Sequence, residues 1–348
     1  MTAASCSKVL LVGDFPPPNG GVATHVEELF HAVRASGAHC EVLDIGKGQL
    51  PADGVVPAGS MARFSALLGA YAARGFRIHV HTSGANPRSW MLAQACAAAG
   101  RLCCGALITL HSGLLPAWLS EAPSRSALAR AVLLQFAHVI AVSAPIRDAL
   151  DRCGVAGVTV VPAFSREFVK PSAPPPGLIE VRARAQPLYC AMIAPRPEYG
   201  AGILLDAFAQ VRGQLPGAAL ALYGPGSESV SAERVHAFGE LHRPQALALM
   251  AACDVFVRPT LADGDSVSVR EALALGCAVV ATSVGHRPPE VRLVTPGAVA
   301  PLARALVEAA GELAARPERA AGAAAAGSLQ PILSLYGVEA ACAASAVS

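Results

Sequence analysis

Two carboxylates eight residues apart are where this sequence concentrates its chemistry. Asp263 opens the turn Asp263-Gly264-Asp265-Ser266, and Glu271 lies in the apolar-periodic run Val267 to Leu275 that follows. The turn is rich in helix N-cap residues. The run has helical spacing, and Gly276 stands where a C-cap glycine belongs. Asp254 to Pro259 before it is a short apolar run stopped by proline, and Cys277 to Ala281 after it is another. The order is strand, acidic turn, helix, strand. Such a helix begins at the carboxyl end of a parallel strand, where doubly wound sheets take their ligands. The N–H groups of Ser266, Val267 and Ser268 are then placed to hold a phosphate. Glu271, little more than a turn into the helix, is within reach of a ribose hydroxyl. The plainer alternative is a solvated loop acid followed by a glutamate that only answers the helix dipole.

The elements needed to position that turn recur along the whole chain. Val9 to Gly13 reads as a first strand, Asp14 to Gly21 as a loop rich in proline and glycine, and Val22 to Ser36 as an amphipathic helix. The loop occupies the place of a phosphate loop but is neither a dinucleotide fingerprint nor a Walker motif. Cys40 to Ile45, Arg77 to Thr82, Gly105 to Leu110 and His138 to Ser143 read as further strands, with Gly46 to Gly59 as a loop. The Gly105 strand ends in His111-Ser112-Gly113, which puts a histidine at a strand's carboxyl end. His79 and His81 are two apart and share one strand face, with no third metal ligand beside them in sequence, which argues against zinc. Ser165 to Pro187, with Pro174-Pro175-Pro176, reads as a linker. Strands and helices then alternate again: Leu188 to Ile193, Gly200 to Gly213, Ala218 to Tyr223 and Pro244 to Cys253. Ala300 to Ala315 is predicted helical, the Ala/Gly stretch to Gly327 a mobile connection, and Ser328 to Tyr336 a last helix. This alternation in both halves implies an α/β protein with two parallel sheets.

Composition narrows the function classes. The chain has 348 residues, 53% hydrophobic and 15% charged, enough apolar material for two full cores. A net charge of +2 argues against a dedicated nucleic-acid binder. Residues 1–165 carry 12 Lys+Arg against 9 Asp+Glu, a mildly basic half. The 10 cysteines contain no C-x-x-C and read as buried small hydrophobes of a reducing compartment. The N-terminus lacks the pattern of a signal peptide, and no stretch is apolar enough to span a bilayer, so the expected location is cytoplasmic. Ala62 to Ala73 reads as a helix, with Arg63, Phe64, Tyr71 and Arg74 giving it the make-up of one that could lie on a membrane surface; the plainer alternative is a normal surface helix covering a sheet.

The spacing of Asp263 and Glu271 resembles the acidic E-x7-E motif of retaining glycosyltransferases of family GT4. The resemblance extends over nearly the whole chain. Gly20-Gly21 matches the family's glycine pair, ITLHSG its T-x-H segment, and ALALYGPG and MAACDVFVRPT its second-domain strands. It implies the GT-B fold, two Rossmann-like domains facing a cleft. Residues 1–165 would form the acceptor-side domain and 166–327 the nucleotide-sugar domain, with 328–348 crossing back to the first. The implied activity is transfer of a sugar from a nucleotide-sugar donor to a hydroxyl acceptor, with the anomeric configuration retained. Gly20, Gly21, Arg196, Gly264, Asp265, Ser266, Val267, Ser268 and Glu271 would bind the donor, and His111 and Asp263 would surround its sugar. No metal or other cofactor is implied. A lipid-linked saccharide acceptor, a role in bacterial surface polysaccharide or glycolipid synthesis, and weak contact with the inner face of the plasma membrane are further expectations. One departure stands out. Ala194 and Tyr199 occupy the places of the arginine and lysine that usually hold the donor diphosphate, leaving Arg196 as the nearest substitute and Arg258, His286 and Arg287 as others. Two other readings are an epimerase or hydrolase of sugar nucleotides on the same fold, and a non-catalytic nucleotide-sugar-binding scaffold.

Overall fold

The computed structural model describes residues 8–17, 20–48, 50–315 and 328–338. The chain folds as two units, Met1–Phe164 with Ser328–Ser348, and Ser165–Gly327. The connection ending at Gly327 falls outside the described residues from 316 onward, as does the final segment beyond 338.

The first unit contains β1 (Lys8–Gly13), α1 (Gly21–Ala35), β2 (His39–Asp44), β3 (Val55–Pro57), α2 (Met61–Ala73), β4 (Arg77–Thr82), α3 (Pro87–Gly100), β5 (Ala106–Leu110), α4 (Leu115–Ser120), α5 (Pro123–Leu133), β6 (His138–Ala141), α6 (Ala144–Arg152) and β7 (Thr159–Val160). Its seven strands run in the order β3-β2-β1-β4-β5-β6-β7, all parallel. Strand order reverses between β1 and β4, the switch point at which such sheets bind ligands. Alternation divides the strand residues between two faces. Leu10, Val12, Ile78, Val80, Ile108 and Leu110 enter a core with Phe64, Trp90 and Leu133. The intervening His79, His81 and Thr109 fall on the other face, equally buried.

The second unit contains α7 (Leu178–Arg184), β8 (Leu188–Met192), α8 (Ala201–Gln214), β9 (Ala219–Tyr223), β10 (Val235–Ala237), α9 (Arg243–Ala252), β11 (Val255–Arg258), α10 (Val267–Ala274), β12 (Ala278–Thr282), β13 (Arg292–Val294) and α11 (Val299–Ala315). The sheet order is β10-β9-β8-β11-β12-β13, again all parallel, with its switch point between β8 and β11. Near-continuous apolar strands follow from burial on both faces. Cys190, Ala221, Phe256 and Val279 meet Leu247 of α9 and Val269 of α10 on one face. Ala191, Leu222, Val257 and Val280 meet Phe208 of α8 and Leu306 of α11 on the other. Each fully buried Leu or Phe of this kind stabilises the fold by about 1.5–3 kcal/mol relative to exposure.

After the second unit, α12 (Gln330–Tyr336) packs on the first. Tyr336 is fully buried and its hydroxyl bonds His79 Nδ1, while Arg77 donates to the Leu335 carbonyl.

Three local readings change. Val55–Pro57 within the expected loop 46–59 is an edge strand paired with β2, held by neighbours rather than by its own pattern. The expected linker 165–187 contains α7, whose Arg182 forms a bidentate pair with Asp254 at 2.7 and 3.0 Å. Phe64 and Tyr71 of α2 are 3% and 4% exposed, so the aromatic residues that suggested a membrane-facing helix are core residues instead. No described helix is long and apolar enough to cross a membrane.

Candidate active site

In the second unit, three loops at the carboxyl ends of the strands pack into one another. The loop after β8 reaches Gly200, whose φ is +68°, and a Cβ there would lie 2.2 Å from the Pro259 carbonyl oxygen. Only glycine accepts both the left-handed backbone and that approach. Beside it, Leu261 N–H donates to the Glu198 carbonyl at 2.8 Å. The third loop, after β12, closes on the acidic turn through His286 N–H to the Gly264 carbonyl at 3.0 Å. A Cβ at Gly285, φ +68°, would meet that same carbonyl at 2.2 Å. The β8, β11 and β12 loops therefore form a single surface at the switch point.

The helix expected after the acidic turn begins at Val267, with Ser266 as its N-cap residue in extended conformation. No side chain caps the helix. The Ser266 hydroxyl bonds instead to that of Ser268, at 3.0 Å. The first-turn N–H groups are left for another acceptor, and the aligned peptide dipoles favour an anionic one.

Folding assigns partners to the acids of this stretch that their spacing does not reveal. Asp263 accepts from Arg258 Nε at 3.0 Å, Arg287 Nη2 at 2.9 Å, Thr260 Oγ1 at 3.3 Å and Gly264 N–H at 3.0 Å. Burial alone would raise its pKa, but the two guanidinium groups outweigh it and hold the carboxyl below its usual range. Asp263 thus fixes the turn and does not cap the helix. Arg258 and Arg287, alternative cations for a diphosphate, are both engaged by it. Arg258 also lies over the Tyr199 ring at 5.1 Å, a cation–π contact tying the residue at the family's lysine position to the acidic turn. Asp265 is paired bidentately with Arg270 at 2.8 and 2.9 Å, its side chain 2% exposed. Its carboxylate is committed to the protein, and only its main chain is available to a ligand.

Glu271 is buried in α10 and accepts from Arg243 Nε, at the start of α9, at 2.8 Å. Sequence spacing does not single out Arg243. It lies 28 residues from Glu271, and nothing local marks it. Arg196 follows β8 and is exposed, with no side-chain partner among the described residues.

The remaining candidates belong to the first unit. Gly20 and Gly21 start α1 and are exposed, beyond the carboxyl end of β1. Pro18 and Asn19 of that loop lie outside the described residues. His111 directly follows β5, and its N–H extends the sheet to the Thr82 carbonyl at 3.0 Å. His111 Nε2 lies 3.2 Å from His81 Nδ1, and the ring of His25 from α1 stands against both. Sequence spacing left His79 and His81 without a third histidine nearby, and the fold supplies two beside His81. His79 is not free to join them, because its nitrogens bond Tyr336 and Thr109. Burial pushes the His25 pKa down to about 3 and those of His81 and His111 well below the usual value, the neighbouring histidines adding to the effect for the last two. These imidazoles are neutral.

A profile described as Glycosyltransferase Family 4 matches residues 19–164, and one described as Glycosyl transferases group 1 matches residues 186–315. No curated protein sequence matches the chain. Among solved structures, sucrose-phosphate synthase from Thermosynechococcus elongatus is similar at 19% identity and a TM-score of 0.64, over 89% of this chain and 90% of that one. A putative UDP-N-acetylglucosamine 2-epimerase from Listeria monocytogenes is similar at 12% identity and a TM-score of 0.62, over 95% of this chain and 97% of that one. The catalytic domain of starch synthase IV from Arabidopsis thaliana, bound to ADP and acarbose, is similar at 14% identity and a TM-score of 0.59, over 88% of this chain and 92% of that one. At these identities the structural likenesses establish the GT-B fold, and the two profiles, one on each unit, carry the activity: the chain belongs to the group 1, family 4 glycosyltransferases.

Proposed function

We propose that the enzyme takes its sugar from a nucleotide-sugar donor and transfers it, with retained anomeric configuration, to a hydroxyl acceptor. The observation that carries this reading is the uncapped N-terminus of α10 at the second unit's switch point, with Glu271 buried one turn behind it. The N–H groups of Ser266, Val267 and Ser268, with the main chain of Asp265, hold the diphosphate; Gly264, expected among the donor ligands, shapes the turn instead, its N–H taken by Asp263 and its carbonyl by His286. Glu271 accepts from the ribose hydroxyls, its carboxylate oriented by Arg243. Arg196 supplies the cation that Ala194 and Tyr199 do not. Preorganised N–H dipoles and charge of this kind stabilise the departing diphosphate as the glycosidic bond breaks. The acceptor oxygen attacks from the same face, and the departing phosphate takes its proton. Asp263 acts through the turn it holds, keeping the loop against the donor sugar. Gly20, Gly21 and His111 keep the sugar-contacting role that family resemblance assigns, with His111 as a neutral hydrogen-bonding group.

The acceptor proposed is a lipid-linked saccharide of bacterial surface polysaccharide or glycolipid synthesis, met at the cytoplasmic face of the membrane. Any attraction to that surface rests on charge from Arg63 and Arg74, since Phe64 and Tyr71 are in the core.

Thermal-shift titration with nucleoside diphosphates and their sugars tests the donor, because a ligand of the native state raises the melting temperature by mass action. A matched pair, diphosphate and diphosphate-sugar, should both stabilise the protein. NMR of the first-formed product then reads its anomeric configuration. An inverted product rejects retention. Donor consumption giving only free sugar or an epimer favours the hydrolase or epimerase reading.

A further inference from the structure

The buried histidines at the first unit's switch point form a group that donor binding does not explain. His25, His81 and His111 come from α1, β4 and the residue after β5, three separate elements. Their ring centroids stand 5.3, 5.2 and 5.5 Å apart, a nearly equilateral triangle. Each offers one nitrogen such that all three nitrogens lie within 4.8 Å of one another. His25 and His81 are 0% and 1% exposed.

The hydrogen-bond account of this group does not close. A neutral imidazole carries one donor and one acceptor, and burial without partners is costly for each. Both nitrogens of His25 and Nε2 of His81 are buried with no partner. The contrast with His79 is direct. Its ring lies 4.2 Å from that of His81, in the same strand, yet both its nitrogens are satisfied, by Tyr336 and Thr109. Packing alone did not demand an unpaired histidine on this face, since a partner was built for one and not for the others.

From this geometry we propose that His25, His81 and His111 form a three-histidine site for a divalent transition metal of the zinc class. Two imidazole nitrogens each about 2.0–2.1 Å from one ion are about 3.3 Å apart in tetrahedral geometry. His81 Nδ1 and His111 Nε2 already stand at 3.2 Å, so these are the nitrogens of that pair that would face the ion, with the unpartnered His81 Nε2 on the far side of its ring. Bringing a 4.8 Å pair to that spacing moves each ring by about 0.7 Å. Burial keeps the rings in the neutral state that metals bind. Three histidines leave one coordination position for water, and His111 is the one of the three that is not fully buried. A metal on one nitrogen of His111 fixes the other as an N–H donor. The site lies wholly within the first unit, and His111 is the one residue it shares with the proposed sugar-contacting set.

The test uses the full-length protein, stripped with a chelator and titrated with Co²⁺ alone, read by its visible d–d absorption. One ion per chain is expected, displaced by Zn²⁺, with no thiolate-to-metal charge-transfer band. His25→Gln and His81→Gln should each weaken binding at least tenfold, while His138→Gln, at an exposed strand end, should leave it unchanged. Crystals of the wild type grown with Zn²⁺ supply a second readout that needs no variant: an anomalous peak among the three rings. Absence of stoichiometric binding, a thiolate band, or a peak elsewhere overturns the site. Donor affinity of the stripped enzyme is measured in parallel, so that a failed metal site and a failed donor site are seen separately.

Discussion

Arg243 Nε donates to Glu271 Oε1 across 2.8 Å, with the two side chains only 16% and 7% exposed. A charge-assisted bond in such surroundings holds the carboxylate in one orientation before any ligand arrives. In this enzyme the second acid of the motif is therefore a pair rather than a single residue.

Glu271→Gln should weaken nucleoside diphosphate binding by about 10- to 100-fold, the loss of a charge-assisted hydrogen bond of about 1.5–3 kcal/mol. Arg243→Ala should weaken the same binding through loss of orientation. The double variant should be no worse than the more damaging single one, because both act on one carboxylate. Calorimetric titration with the diphosphate reads all three. Unchanged affinity in a folded Glu271→Gln protein removes this residue from the site.

Arg196→Ala should lower both diphosphate affinity and turnover, since Arg258 and Arg287 are held by Asp263. Arg212→Ala is the control. That arginine pairs with exposed Glu233 on another part of the unit, and its loss should change neither quantity. If both variants behave as wild type, the diphosphate is held by N–H groups alone.

Asp263→Asn removes the charge that separates two guanidinium groups. Breaking a buried pair from one side costs about 3–5 kcal/mol, and the partly buried geometry here puts the expectation at the lower end. Turnover should fall along with stability, while the folded fraction should still bind diphosphate. Melting temperature and turnover measured on one sample separate these effects. Lower stability with normal turnover per folded molecule makes Asp263 purely architectural.

The same carboxyl gives stability a sign with pH. Its folded-state pKa is depressed below the ordinary aspartate value. Its contribution is complete above the unfolded pKa, about 3.9, and is lost as pH falls through the folded value. Urea midpoints measured from pH 5 downward should drop, and Asp263→Asn should flatten the drop within that window. An equal slope in both proteins assigns the acid sensitivity to other groups.

Gly200→Ala tests the seam between the β8 and β11 loops. A left-handed non-glycine residue costs about 1–2 kcal/mol, and its Cβ would also meet the Pro259 carbonyl at 2.2 Å. The variant should melt lower and bind diphosphate more weakly. Gly202→Ala, two residues on with open space around it, should do neither.

Apolar runs, prolines and cap residues were enough to read the strands and helices around the acidic turn, because each reflects the local backbone and the environment of a few neighbours. The start of α10 after Ser266 and the two parallel sheets belong to that class. So does the placing of His111 at a strand end. The edge strand Val55–Pro57 did not, since three residues carry no periodicity and it is the pairing with β2 that defines the strand. The engagement of Arg258 and Arg287 by Asp263, the hold of Arg243 on Glu271 and the meeting of His25, His81 and His111 are of the second kind as well. They join residues on different elements, and for such pairs the chain carries no periodic signal. Spacing in sequence determined which groups stand at each strand end; only the packing of whole elements decided which of those groups neutralise, orient or face one another, because charge and coordination act through distance in space.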